Sequence, residues 1–370
     1  MKKELLHGSG GSFLRVKFGI NAILISYIRR NIECEMQGMV MLEYEWNILE
    51  QYEIDVTDIR KIRGAFLCDS GQGFFLLKEV EASEKRIPAL YELYEYLYSQ
   101  GYTGIDRVVL NKEGKCVTET EDGRRFLLKE WPAGRECDVR RPTELLAASG
   151  NLAKLHILMR HQMEHPVTAG IHLKEEYLRH NRELKKVRKF ARGIAPKGEF
   201  EFAFLKYFDQ MYQWADMALR ELEASGYEEL YQESIESGCM THGEYNYHNV
   251  LILRQGGHVA VTGFEKFKRD VQVEDLYYFL RKVMEKNGWK IRLGDNMMNA
   301  YSAIRPLEKK ELEYLKIRLI YPEKFWKVVS TYYYSNKAWV SVKNVEKLTM
   351  AIHQNEEKKR FLEEIFAFHL

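Results

Sequence analysis

The sequence predicts an α+β fold in two lobes, a small lobe built on an antiparallel sheet and then a larger, mainly helical one. Three observations carry this expectation. Strand-like runs punctuated by turn residues fill the stretch before about Trp131, interrupted by one amphipathic helix. Nearly everything afterwards has helical periodicity, and one strand-turn-strand unit returns at 250–261 inside the helical half. A chain of 370 residues suits one bilobal unit or two domains of ordinary size. With 45% hydrophobic and 30% charged residues, its composition is that of a folded globular protein.

Residues 1–42 differ from the rest. Phe18 to Ile28 is an apolar run flanked by Arg15, Lys17, Arg29 and Arg30, too short to span a bilayer and without a small-residue cleavage pattern after it. The segment reads as a poorly ordered extension or a mis-assigned start, with Met36, Met39 and Met41 as alternative initiators. The other reading is a membrane or partner anchor. No integral membrane segment is expected.

The first lobe is expected over 43–131. Val56 to Val80 is strand-like, with Asp69 to Gly73 as turn residues, giving a hairpin that ends in Lys78. Ser83 then stands as a helix N-cap and Gly101 as a stop, and Ile87, Leu90, Tyr91, Tyr94 and Leu97 fall at helical spacing between them. Two further strands, Arg107 to Asn111 and Arg125 to Trp131, are separated by turns around Gly114 and Asp122-Gly123. The order strand, strand, helix, strand, strand makes an antiparallel α+β lobe. Glu130 to Glu136 (EWPAGRE) has the Pro and Gly of a connector, which places the boundary there.

The second lobe, 132–370, opens with Pro142 in a first helical turn, followed by Leu145, Leu146, Leu152, Leu155 and His156 on one face. Leu173 to Arg192 is the one pronounced basic stretch, either a solvated helix face or a docking surface for an acidic partner. Over the whole chain 56 Lys and Arg face 54 Asp and Glu, a net charge of +2, so nothing in the global balance argues for nucleic acid. The five cysteines are scattered, with neither zinc-site nor redox spacing, and a reducing setting is the simpler reading. The 23 tyrosines are assigned to packing.

The chemistry is concentrated in Met240 to Glu265, MTHGEYNYHNVLILRQGGHVAVTGFE. A loop with His242, Gly243, Glu244 and Asn249 leads into Val250 to Leu253, turns at Gly256-Gly257, and returns as Val259 to Val261 before Thr262-Gly263-Phe264-Glu265. This segment resembles the catalytic hairpin of the aminoglycoside phosphotransferase and choline kinase group, which has a protein-kinase-like fold and the pattern H-G-D-x-x-x-x-N, hairpin, D-F-[DE]. In that chemistry the loop carboxylate receives the acceptor's hydroxyl proton, and the Asn and second Asp hold magnesium against ATP phosphates. Carried over, the resemblance makes His242, Glu244 and Asn249 the catalytic-loop residues and Asn249 a metal ligand. Glu244 replaces the loop Asp, and a displacement of roughly 1 Å can cost on the order of a hundredfold in rate. Gly263 replaces the metal-binding Asp and supplies no oxygen; Glu265 is the one substitute ligand nearby. A positive φ at Gly263 would make any side chain there a strain.

The same resemblance assigns Lys78 to phosphate, Gly64 to the phosphate-cradling turn and Glu130 to the connector side of a nucleotide site. Glu84, Glu92 and Glu95 are the candidate helix acids to pair with the lysine. Asp275 would brace the catalytic loop through backbone hydrogen bonds, and its alternative reading is an ordinary acidic first turn. The combination of LLKE, EWPAGRE, NLAKLH, HGEYNYHNVL, VTGFE and DLYYFLRKVMEKNGW, over about 43–350, is most similar to the CotS family of bacterial spore-coat proteins. That resemblance implies a protein made in the mother-cell cytoplasm and assembled into the spore coat with other coat proteins, with ATP and Mg as the cofactors to test. The expected function is a pseudokinase with a structural or docking role. The alternative is an active phosphotransferase acting on a coat protein or a small hydroxyl-bearing substrate.

Overall fold

The structure is a computed structural model that describes residues 45–80, 86–334 and 342–368. The 1–42 extension, the Ser83 cap and Glu84 lie outside the described residues. Contacts divide the chain into two units, one holding the described residues up to Val80 together with Val109–Leu128, the other holding the helix after residue 85, the chain to Val108, and everything from Lys129 onward.

In the first unit β1 (Val56–Ile62), β2 (Ala65–Ser70) and β3 (Gly73–Glu79) form an antiparallel meander. The sheet continues in the order β1-β2-β3-β6-β4, where β4 is Val108–Val109 and β6 is Arg125–Trp131; β5 (Thr118–Glu119) pairs with β6. The run from Val56 to Val80 is therefore three strands, not the two expected. The extra reversal is Arg63-Gly64, where only the resemblance had put a turn: two residues with φ of 43° and 78° between the paired Ile62 and Ala65. Arginine is an unusual residue at positive φ, so this turn carries half of the usual Asn-Gly signature. The strand expected at Arg107 to Asn111 shrinks to Val108–Val109, because Asn111 turns the chain: its Oδ1 accepts the N–H groups of Glu113 and Lys115. Cys68, Phe75, Leu77, Phe126 and Leu128 face one core with Ile48, Leu49 and Tyr52, and Lys78, one residue on from Leu77, projects from the other face of β3.

In the second unit helix α1 (Arg86–Ser99) buries Ile87, Leu90, Tyr94 and Leu97 of the expected face, with Leu93 buried as well and Tyr91 only half-buried. The hairpin of β9 (Val250–Leu253) and β10 (Val259–Val261) is extended on the β9 side by β7 (Gly134–Glu136). Ten residues before that hairpin, β8 (Met240–Thr241) pairs with β11 (Lys268–Arg269) and closes the intervening segment at its base.

The remaining helices are α2 (Pro142–Leu158), α3 (Leu173–Gly193), α4 (Glu199–Ala224), α5 (Tyr227–Glu236), α6 (Val273–Asn287), α7 (Ile291–Ser302), α8 (Lys309–Ile320), α9 (Glu323–Tyr334) and α10 (Val342–Phe366). Helix α2 packs on α7 and α3 on α4. Leu184, Val187, Phe204, Phe208, Phe325 and Leu348 belong to a core drawn from α3, α4, α9 and α10. Among the described residues no helix is long and apolar enough to cross a membrane.

Candidate functional site

The loop after β8 is held from below by one carboxylate. Asp275, buried in the first turn of α6, accepts the backbone N–H of His242 at 2.5 Å and of Gly243 at 2.9 Å. Burial alone would raise its pKa, but the hydrogen bond from His156 and the other donors outweigh that and hold the carboxyl below its ordinary value. Gly243 sits at φ +82°, and a Cβ there would overlap the carbonyl oxygen of Lys266. His242 is fully buried, and burial keeps its pKa below the usual histidine value. Its Nε2–H donates to the Thr262 carbonyl at 3.1 Å and its Nδ1 accepts the Glu244 N–H at 3.1 Å, the pattern of a neutral imidazole. The loop is thus pinned from both sides.

Asp275→Asn is expected to cost about 2–3 kcal/mol in urea unfolding at pH 7, because an amide nitrogen would face one of the two N–H donors. Since the folded-state pKa of Asp275 is depressed, its stabilisation is present above the unfolded carboxylate value and is lost as pH falls below it. The deficit of the variant should accordingly shrink below about pH 4.

Asn249 and position 263 lie side by side. Thr262 N–H donates to the Asn249 carbonyl at 2.8 Å, and a Cβ built on Gly263 would stand 3.3 to 3.5 Å from the carboxamide of Asn249. The two positions from which the resemblance draws metal ligands therefore converge, and one of them has no side chain. Gly263 is left-handed at φ 84° and ψ 46°. The carboxamide Nδ2 of Asn249 donates to the Glu244 carbonyl at 3.0 Å, which leaves its Oδ1 as the acceptor at this spot.

The two nearby carboxylates are both engaged by lysines. Glu244, about one-third exposed, pairs with Lys266 at 2.6 Å. Glu265 pairs with Lys129, which is 1% exposed and also bonds Asp106 at 2.5 Å. Asp106 in turn accepts Tyr94 O–H at 2.8 Å and the Gly263 N–H at 2.9 Å, while Arg86 donates to the backbone carbonyls of Glu265 and Phe267. Burial would strip the proton from Lys129, but the two carboxylates hold it firmly charged. Phe264 packs edge-on to Tyr94 and against the His242 ring. Residues 263–267 are thereby anchored onto α1 and the end of β6.

Sequence reasoning did not anticipate Lys129 or Asp106. The available signal was a lysine at an inward position of the apolar strand RFLLKEW, where a charge must find a partner.

Of the helix acids, Glu92 accepts the N–H groups of Glu164 and His165 and the His165 ring, and Glu95 pairs with Arg107 at 3.0 Å. Lys78 is half-buried, Gly64 lies in the tight Arg63-Gly64 turn, and Glu130 is exposed, its N–H bonded to the Arg107 carbonyl at 2.8 Å. Among the described residues, no trio of His, Cys, Asp or Glu side chains with metal-ligand spacing gathers at the 242–265 loop. One amide oxygen opposite a glycine does not fit a phosphate-bridging magnesium, a hard cation that needs several oxygens.

A sheet-bearing first region, a helical second region and a braced H-G-E-x-x-x-x-N loop leading into a short hairpin define a kinase-like phosphotransferase fold. Residues 45–365 match the family model described as "Spore coat putative kinase YutH", and the chain belongs to that family. It is 29% identical over 172 residues to spore coat protein S of Bacillus subtilis (strain 168), a match covering 46% of this chain. The chain spans 48%, about half, of that relative's length.

Among solved structures, an aminoglycoside phosphotransferase from Alicyclobacillus acidocaldarius superposes with a TM-score of 0.77 at 16% identity, covering 87% of this chain and 95% of that one. Spectinomycin phosphotransferase APH(9)-Ia, in complex with ADP and spectinomycin, gives 0.61 at 11% identity over 88% and 98% of the two chains. The amicoumacin kinase hAmiN, in complex with AMP-PNP and Ca²⁺, gives 0.56 at 14% identity over 86% and 93%. At these identities the likeness is one of fold.

Proposed function

We propose that this protein serves the spore coat as a pseudokinase: a kinase-fold scaffold that docks other coat proteins and transfers phosphate weakly or not at all. It would be made in the mother-cell cytoplasm and then built into the coat, as the family's coat context suggests. The observation that carries the reading is the glycine opposite Asn249, with Glu265 committed to Lys129 and Glu244 to Lys266. Phosphoryl transfer depends almost wholly on positioning and on metal-borne charge stabilisation, so a site without its metal oxygens loses the larger part of its power. The retained Asn249, His242 and Asp275 then act as architecture, keeping the loop and hairpin folded.

The test is a thermal melt with ATP, with and without magnesium, on the parent and on Gly263→Asp. Nucleotides come first because two proteins of similar fold are described with ADP or AMP-PNP. The parent melt should not respond to magnesium-ATP. Aspartate is among the side chains that best tolerate left-handed backbone, so Gly263→Asp should cost roughly 1 kcal/mol, a loss of a few degrees in Tm. It should then gain a magnesium-dependent response to ATP that Glu244→Asp does not confer. Parent turnover of a coat protein or a hydroxyl compound, abolished in Glu244→Ala, would overturn the pseudokinase reading in favour of an active phosphotransferase.

A further inference from the structure

Helices α3 and α9 meet at a second concentration of metal-binding chemistry, separate from the hairpin loop. Glu176 and His180 are four residues apart on α3 and so lie on one face of it, and Glu323 is the first residue of α9. One ligand atom from each of the three lies within 4.8 Å of the others. Ligands of a single tetrahedral ion, each about 2.0–2.2 Å from it, stand roughly 3.4 Å apart, so rotation of the two glutamate side chains closes the set.

The second observation is independent of this spacing. His180 is 1% exposed, and among the described residues neither of its ring nitrogens has a hydrogen-bond partner, although Trp326 stacks on the ring at 3.3 Å between centroids. Glu323 Oε2 is likewise buried and unpartnered. Buried polar atoms are nearly always satisfied, and one orphaned imidazole nitrogen beside an orphaned carboxylate oxygen asks for a common partner.

The partner's charge follows from the surroundings. His180 is buried with no carboxylate hydrogen-bonded to its ring among the described residues, and a neutral imidazole offers a lone pair at one ring nitrogen. Two carboxylates stand beside it. Arg318 offsets part of the charge of Glu176 at 3.9 Å, but its guanidinium is bonded to Glu274 at 2.7 Å. Glu176 keeps 23% side-chain exposure, which provides an entry path.

We propose that Glu176, His180 and Glu323 form a binding site for a divalent transition-metal ion of the zinc class, held by one imidazole nitrogen and two carboxylates, with the fourth position left to water. Magnesium and calcium prefer all-oxygen sets with more ligands, whereas one nitrogen plus two carboxylates suits zinc. The ion would clamp the first turns of α3 to the start of α9, and through it to the aromatic core between them.

The test uses the full chain after chelator treatment, titrated with zinc, magnesium and calcium by calorimetry and by thermal melts. Zinc should bind one equivalent and raise Tm by several degrees, while magnesium and calcium leave it unchanged. Glu323→Gln keeps the shape of the side chain and should weaken zinc binding at least about tenfold. His180→Gln should do the same, and Glu323→Gln keeps the test decisive if loss of the Trp326 stack prevents folding. Cobalt substitution should give the visible absorption of a tetrahedral site in the parent and lose it in Glu323→Gln. A melt insensitive to zinc, or a zinc response that is the same in parent and Glu323→Gln, would overturn the proposal.

Discussion

Lys129→Met is expected to destabilise the protein by about 3–5 kcal/mol at pH 7, measured by urea unfolding. The lysine is 1% exposed and is the shared cation of Asp106 and Glu265, of which Asp106 is fully buried. Removing it leaves two carboxylates facing one another in a desolvated space, with Tyr94 O–H, the Gly263 N–H and the nearby Arg86 as the remaining compensation. One carboxyl should respond by taking up a proton in the folded state. Its folded pKa would then lie above its unfolded value, so the penalty is absent below about pH 4 and grows as pH rises towards neutrality. The double variant Lys129→Met with Glu265→Gln should recover part of the loss, since the two groups share one network and cannot be additive. A single variant that melts like the parent at every pH would show that the cluster contributes nothing to holding 263–267 in place.

Local signals read well in this chain where the physics is local. The hairpin 250–261, the helix from Arg86, the basic helix from Leu173 and the strand Arg125–Trp131 were legible because each carries its period and its punctuation within a dozen residues. The third strand of the meander was not legible from local signals, because its turn places an arginine at positive φ; only the resemblance marked a turn at Gly64. The hairpin was legible as a motif, and the structure sets Gly263 beside the carboxamide of Asn249, as the motif implies. What the sequence could not supply was where the neighbouring charges turn. Glu265 lies 136 positions from Lys129, and Asp106 lies 23 from it, so no window of periodicity or spacing connects the three. The same holds for His180 and Glu323, which sit on helices separated by more than a hundred residues and meet only through packing of α3 against α9.

Buried charge is handled quite differently at Lys358. It lies on α10, 7% exposed, with Nζ donating to the Ile320 carbonyl at 3.3 Å and standing over the Trp214 ring at 4.8 Å. It borders a cavity of about 30 Å³ that Arg281 and Glu285 also line, room for a water. Among the described residues no carboxylate bonds it as Asp106 bonds Lys129, and burial pushes its pKa down to about 7, with Glu285 opposing and Arg281 reinforcing the shift.

The sign of the pH dependence follows directly. The unfolded lysine titrates near 10.4, so between about pH 7 and pH 10 the unfolded chain holds a proton that the folded chain has released. Stability must therefore rise with pH across that window, and the cost of burying the ammonium is fully present below it. Lys358→Met keeps an unbranched chain of similar length without the charge and leaves the Ile320 carbonyl one donor short. With that loss set against the relieved desolvation, the variant should be more stable than the parent by about 2–4 kcal/mol at pH 7. The gain should fall to less than about 1 kcal/mol at pH 10, where the folded lysine is neutral and the unfolded one is within about half a pH unit of its midpoint, so little of the linkage remains. Urea unfolding of parent and variant at the two pH values separates this from a simple packing gain. A stabilisation equal at pH 7 and pH 10 would mean that the ammonium is solvated through the cavity and that Lys358 titrates as an ordinary lysine.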